Sequence, residues 1–225
     1  MLMKKDYTIK RIATLESGYR SKFGIPRQSG LVNGTEARIV FEPEYANPDA
    51  LRGLEGFSHI WLIWQFSECI TEEFQPTVRP PRLGGNTRLG VFATRSPFRP
   101  NALGLSCVKL ERIENGKLIV SGADLMDGTP IYDIKPYVPY TDCHPDAEEG
   151  YAPKPEKTLT VKFECACPEK IKEALEELLA FDPRPHYQND PGRIYGFEYE
   201  DYEIKFKADG TLCTVLEINK KEEAG

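Results

Sequence analysis

The chain has 225 residues, 40% of them hydrophobic, which is enough for one large domain or a medium domain with a small appendage. Its 29 Lys and Arg stand against 35 Asp and Glu, a formal net charge of -6 that argues against indiscriminate nucleic-acid binding while leaving room for a confined basic patch. The longest apolar run, residues 60–64, is far too short to span a bilayer, and the lysines near the start lack the apolar stretch of an export signal, so a soluble, cytoplasmic protein with no membrane partner is expected. Six cysteines without a C-x-x-C pair and only three histidines make poor zinc spacing, so free thiols and no metal are expected.

In chain order, residues 7–13 and 36–41 read as strands, joined by a loop that carries Gly24, Pro26, Arg27 and Gln28. Residues 47–53 read as one short helix, because Asn47 can cap, Pro48 fits the first turn, Asp49 suits the helix dipole and Gly53 ends it. Residues 59–66 form a continuous run of aromatic and branched side chains, which predicts a central strand buried on both faces and leading to the polar Ser67 and Glu68. Residues 88–94 and 103–113 read as strands joined by a loop over 95–101, and the turn at 114–117 makes a hairpin with a strand over 117–123. After a turn at 127–130, an extended stretch over 131–138 puts Asp133, Lys135 and Tyr137 on one face and Tyr132, Ile134 and Val138 on the other. So many short strands with turn signals predict a closed or partly closed antiparallel β-barrel.

Residues 140–155, rich in Pro, Gly and acids, read as a linker. Beyond it come a strand over 158–164, a helix over 168–180 with Ile171, Ala174, Leu175, Leu178 and Leu179 on one stripe, and strands over 195–202, 203–207 and 212–218. The expected fold is therefore mainly β: a barrel domain over 1–160 and a small α+β domain over 161–225. No internal repeat is visible.

The stretch from 79 to 109 is cationic where the chain is not. Arg79, Arg82, Arg88, Arg95, Arg99 and Lys109 fall in a segment, Phe74 to Leu110, that holds no Asp or Glu. Pro80, Pro81, Pro97 and Pro100 restrict its backbone and Gly84, Gly85, Gly90 and Gly104 permit tight turns or close approach. Planar guanidinium groups suit phosphate and carboxylate, so this is a candidate anion site.

The run Gly90-Val-Phe-Ala-Thr-Arg-Ser-Pro-Phe-Arg-Pro-Asn-Ala-Leu-Gly-Leu-Ser106 resembles the signature of the TrmO (YaeB-like) family of S-adenosylmethionine-dependent tRNA methyltransferases. The resemblance extends through Gly24-Ile-Pro-Arg-Gln28, Gly56-Phe-Ser-His-Ile-Trp61, Pro76-Thr-Val-Arg-Pro-Pro-Arg-Leu-Gly-Gly85 and Asp127-Gly-Thr-Pro-Ile-Tyr-Asp-Ile-Lys-Pro-Tyr137. Asp182-Pro-Arg-Pro-His-Tyr-Gln188 with Tyr195-Gly196 resembles the small C-terminal domain of bacterial members. No strand followed by a G-x-G-x-x-G turn is present, so S-adenosylmethionine, which the resemblance alone implies, would be used on a barrel rather than a Rossmann fold.

The resemblance implies methyl transfer from S-adenosylmethionine to N6 of threonylcarbamoyladenosine beside the anticodon of tRNA, by a homodimer with its cofactor pockets near the subunit interface. It places Pro26, Arg27, Gln28, Ser67, Glu68, Arg95, Leu105, Asp133, Ile134, Lys135 and Pro136 at the cofactor. Asp133 is the candidate base or sulfonium neighbour, with Lys135 setting its charge environment and Arg95 beside them. Arg79, Arg82, Arg88, Arg99, Asn101, Tyr137, Arg184 and Tyr187 are the expected RNA contacts. A methyltransferase of a small carboxylate, or a non-enzymatic barrel binding RNA or an adenosine ligand, would suit the arginines as well.

Overall fold

A computed structural model describes residues 8–71, 73–83, 86–152, 154–184 and 190–221. Six strands build the barrel: β1 (Ala13–Glu16), β2 (Glu36–Phe41), β3 (His59–Gln65), β6 (Leu103–Glu114), β7 (Lys117–Ser121) and β8 (Thr129–Pro136). They close in the order β1-β2-β7-β6-β3-β8, every pairing antiparallel. Closure falls to β8, which pairs with β1 on one edge and β3 on the other, leaving no edge strand in the barrel. The interior is filled by Leu15, Ile39, Ile60, Leu62, Val108, Leu118, Val120, Leu125 and Ile131, all buried. At the hairpin between β6 and β7, Asn115 and Gly116 have φ of 51° and 74°, the paired left-handed geometry of a tight two-residue turn.

Several expectations change. The described first strand is Ala13–Glu16, later than 7–13, because residues 13–16 are the ones that find partners in β2 and β8. β3 is buried on one face only: Ile60, Leu62 and Trp64 point inward, while His59, Trp61, Ile63 and Gln65 are half-buried on the outside, as in a barrel wall rather than a sandwiched sheet. The strand expected over 88–94 is just β5 (Leu89–Gly90), paired with β4 (Thr77–Val78), and it passes directly into a 3-10 turn at Val91–Ala93. Residues 47–53 form a 3-10 turn, Pro48–Leu51, with the Asn47 side chain accepting from the Asp49 amide at 3.0 Å. In β8 the inward-facing residue of the first half is Ile131 and that of the second is Ile134. A bulge at Ile63/Trp64 leaves Tyr132 without a strand partner, so its hydroxyl donates to Gln65 on the outer face instead of facing inward.

Among the described residues, the linker holds one helical turn, α1 (Pro139–Asp142). Beyond it, β9 (Thr160–Phe163), α2 (Glu169–Ala180), β10 (Tyr195–Tyr199), β11 (Tyr202–Asp209) and β12 (Leu212–Lys220) form a four-stranded sheet ordered β10-β11-β12-β9 with α2 packed against it. The apolar stripe of α2 is the predicted one, and Ile171, Ala174, Leu175, Leu178 and Leu179 are all buried. This second core also recruits the loop between β1 and β2. Tyr19 and Val32 are buried in it, the Tyr19 ring lies 5.4 Å from that of Tyr199, and the Glu200 amide donates to the Gly18 carbonyl at 2.7 Å. The loop bearing Pro26, Arg27 and Gln28 is thereby held between the two cores.

Candidate active site at the barrel mouth

The end of the barrel where β3 leaves and β6 enters holds a buried polar chain. Gly104 lies opposite Trp64 in the β3–β6 pairing, and having no Cβ it lets the indole lie across it. The Trp64 Nε1–H donates to Ser106 Oγ at 3.0 Å, and Ser106 Oγ–H donates to Asp124 Oδ1 at 2.6 Å. Burial pushes the Asp124 carboxyl above the usual carboxylate range. The Ser106 hydroxyl, the amides of Asp124 and Ser29, and the charge of Arg95 pull it back only in part. Above it, Arg95 Nη1–H donates to the Gln28 side-chain carbonyl, and Gln28 Nε2–H turns back to the Arg27 carbonyl at 2.5 Å. The loop from β1 and the loop before β6 therefore meet over a buried carboxylate, bringing Gln28 and Arg95 together as expected.

The second part lies on the outer wall. Leu105, Ile63 and Asp133 are cross-strand neighbours in one row, and Cys107, Trp61 and Lys135 form the next. Lys135 Nζ lies 3.0 Å from Asp133 Oδ2, and Asp133 Oδ1 accepts from the Ile134 amide at 3.0 Å. Leu105 is 56% exposed, an apolar shelf beside this ion pair. Tyr137 closes the strip, its ring centroid 5.7 Å from that of Trp61, whose Nε1–H donates to Asp142 at 3.1 Å. The Val138 amide and the Trp61 indole hold the Asp142 carboxyl below the usual range. Ile134 faces the barrel core, so only its backbone is available to a ligand on this wall. Ser67 and Glu68 begin the 3-10 turn that follows β3, and Glu68 pairs with Lys22 at 3.1 Å, tying that turn to the loop of Pro26 to Gln28.

The expected RNA-contacting residues divide. Arg79, Arg88 and Asn101 are exposed, and Arg88 Nη1–H donates to Thr77 Oγ1 at 2.8 Å across the β4–β5 pair. Arg99 is half-buried, donating to the carbonyls of Val91 at 3.2 Å and Thr94 at 2.7 Å, so part of its guanidinium braces the loop. Arg184 departs from the expected RNA-facing role. It is 7% exposed, forks onto both oxygens of Asp182 at 2.8 Å and donates to the Ala208 carbonyl at 3.2 Å, which consumes the guanidinium inside the small domain. The Arg82 side chain and Tyr187 lie outside the described residues.

Arg27 donates to the Arg184 carbonyl at 3.0 Å. With Pro26 it lines a cavity of about 730 Å³ between the β1–β2 loop, the linker and the small domain. The other expected cofactor residues do not line this cavity; Gln28 and Arg95 sit at the barrel mouth, and Leu105, Asp133 and Lys135 lie on its outer wall. Residue-by-residue reading missed Asp124, since a single Asp after a strand carries no spacing signal. Only the pairing of β6 with β3 and the return of the 122–128 loop bring it beneath Arg95. Among the described residues no three His, Cys, Asp or Glu side chains gather as a metal-holding group, and no helix is long and apolar enough to cross a membrane.

The family model for the tRNA-methyltransferase O N-terminal domain matches residues 14–143, and that for the TrmO C-terminal domain matches 155–221. A tRNA (adenine(37)-N6)-methyltransferase from Escherichia coli (strain K12) is 38% identical over 219 residues, covering 90% of this chain and 93% of its own. A Pseudomonas aeruginosa protein, whose given name is that of an S-adenosylmethionine-dependent methyltransferase, is 41% identical over 210 residues, covering 88% of this chain and 91% of its own. The crystal structure of TrmO from Pseudomonas aeruginosa superposes with a TM-score of 0.80 at 33% identity, covering 98% of this chain and 100% of that one.

Proposed function

The chain belongs to the tRNA-methyltransferase O family, and from this we infer that it is an S-adenosylmethionine-dependent tRNA methyltransferase acting on N6 of adenosine 37, carrying the threonylcarbamoyl group, next to the anticodon. The observation that carries the reading is the barrel mouth itself, where Arg95, held by Gln28 in an acid-free segment, stands over buried Asp124 beside the wall bearing Leu105 and the Asp133–Lys135 pair. We take residues 1–160 as the transferase domain and 161–225 as its appendage.

The donor set suits the cofactor. Arg95 and Lys135 offer cations to a carboxylate, Glu68 and Asp133 offer acceptors to an ammonium or ribose hydroxyls, and Leu105 with Ile63 offers an apolar surface to an adenine. When bound, the cofactor supplies a methyl group on a positively charged sulfur. The chain's task is then mainly to hold the nucleophile in line, the kind of positioning that lowers a transfer barrier most. The N6 lone pair is delocalised into the purine and the carbamoyl group, so removing its proton during attack helps. Asp133 takes that proton, with Lys135 as its ion-pair partner 3.0 Å away. Arg79, Arg88 and Arg95 hold the threonyl carboxylate and the loop phosphates.

The same reading makes the protein a cytoplasmic homodimer that works without a metal. Its support is the outer wall: an exposed Leu105 with half-buried Trp61 and Ile63 is apolar surface that a second copy would cover while enclosing the open cofactor site. Sedimentation reads the stoichiometry directly. The reaction is tested with labelled S-adenosylmethionine and two anticodon-matched tRNAs, one bearing threonylcarbamoyladenosine and one plain adenosine. Label in the modified RNA alone is expected, and label in neither, with cofactor bound, overturns the reading. Wild-type turnover by Asp133→Asn at saturating cofactor and tRNA removes that residue as the base.

A further inference from the structure

Two phenylalanine rings stand in solvent on the segment that leads into Arg95 and take no part in the chemistry above. Phe74 is 54% exposed and Phe92 70% exposed, and the two are stacked with centroids 6.2 Å apart and planes 25° from parallel. They are held, not dangling. Phe92 sits in the Val91–Ala93 turn, which is closed by the Thr94 hydroxyl on the Val91 carbonyl at 2.8 Å and by Arg99 on the carbonyls of Val91 and Thr94. The Val91 amide donates to the Pro76 carbonyl at 3.0 Å, which binds the Phe74-bearing segment to the same turn. The Arg99 guanidinium carbon lies 5.7 Å from the centre of the Phe92 ring, and Arg95 lies two residues beyond the end of the turn.

The surroundings narrow the partner. Glu72 and Glu73 directly precede Phe74, but no Asp or Glu occurs from Phe74 to Leu110, and Arg79 and Arg88 are exposed on the same segment as Phe92, so the charge along this stretch favours phosphate. Rigid aromatic faces among arginines are the chemistry that binds unpaired nucleobases, because every base has a π-face to stack and a phosphate to pair. The target adenosine lies in a loop whose bases stack on one another, and presenting its N6 to the transfer site breaks that stacking. A fixed ring pair on the segment that leads into Arg95 can receive a displaced neighbour.

We propose that Phe74 and Phe92 form a stacking platform for an unpaired base of the anticodon loop that flanks the methylated adenosine. This deepens the tRNA reading above and rests on it. The platform recognises a π-face rather than a hydrogen-bonding edge, so it tolerates any base and serves to hold the loop open.

The test compares the wild-type protein with Phe92→Ala, Phe74→Ala, the double variant and Phe92→Trp. Affinity for a fluorescent anticodon stem-loop RNA is measured across a salt series, together with S-adenosylmethionine binding and sedimentation. Each alanine variant is expected to weaken RNA binding on the order of tenfold while leaving the slope of log affinity against log salt unchanged, because no ion pair is lost. Phe92→Trp keeps wild-type affinity, and cofactor affinity stays constant because the rings are exposed and the fold does not depend on them. Arg88→Ala is the contrast, reducing the salt slope. Wild-type RNA affinity in the double variant overturns the proposal, as does a loss confined to self-association, which would assign the rings to an interface between copies. If the wild-type protein neither binds nor methylates the RNA, the functional reading itself fails.

Discussion

Gly104→Ala tests how the mouth of the barrel is built. A Cβ added at this position would lie 2.3 Å from Trp64 Cε2, 2.5 Å from Cζ2 and 2.7 Å from Cδ2, whereas carbon atoms sit comfortably at about 3.5 Å or more. The indole must therefore shift by about 1 Å. The Phe66 ring, 4.2 Å from that of Trp64 between centroids, restricts where it can go. Overpacking of this kind costs about 1–3 kcal/mol. The shift also pulls Nε1 from Ser106 Oγ and frees the hydroxyl that holds Asp124, adding about 1–3 kcal/mol for a buried hydrogen bond left unmade. Together these predict a loss of about 2–6 kcal/mol, a large share of an ordinary domain's stability of about 5–15 kcal/mol. Urea unfolding followed by circular dichroism gives the loss, and tryptophan fluorescence reports the displaced indole. S-adenosylmethionine affinity should fall too, since Arg95 and Ser29 rest on the same carboxylate. Stability within about 0.5 kcal/mol of wild type, the range of a neutral surface change, with unchanged fluorescence would refute this account of the mouth.

Other consequences follow from the same contacts. Because burial raises the folded-state pKa of Asp124, its contribution to stability is full below the unfolded value of about 3.9 and is lost as pH rises through the folded value. Asp124→Asn should therefore gain on wild type as pH climbs above about 4 and level off beyond the folded pKa, and parallel stability curves would sink the idea. Arg184→Ala leaves Asp182 half-buried without its fork and should cost about 3–5 kcal/mol in denaturant unfolding, with Arg184→Lys a poor rescue because one ammonium cannot span both oxygens. A loss below about 1 kcal/mol would return that arginine to the surface. Cys213 is fully buried, and burial pushes its thiol up to about 12, so alkylating reagents should label exposed Cys143 in the native protein and Cys213 only after unfolding, as mass spectrometry can read. Tyr195→Phe should be neutral or slightly stabilising in thermal unfolding, because the Tyr195 hydroxyl is buried without a hydrogen-bond partner among the described residues.

The amino-acid sequence by itself determined what depends on neighbours along the chain. The stripe of α2, the Asn115-Gly116 hairpin, the capping by Asn47 and the alternation of Asp133, Lys135 and Tyr137 all follow from periods and turn chemistry within a dozen residues. The acid-free arginine segment and the motif from Gly90 to Ser106, which carries the family resemblance, are likewise properties of the sequence alone. Tertiary structure decided the rest, because burial and partnership belong to pairs of segments and not to either alone. The one-sided β3 follows from barrel closure by β8. The short β5 follows from having only two residues of β4 to pair with. Arg184 became an internal brace because Asp182 and the Ala208 carbonyl enclose it. Asp124 came to lie under Arg95, and Phe92 came to be exposed beside Phe74, through contacts between segments that no local pattern marks. Composition and spacing specify which groups are present; only the closed barrel, which fixes which faces lose water, decides which of them meet.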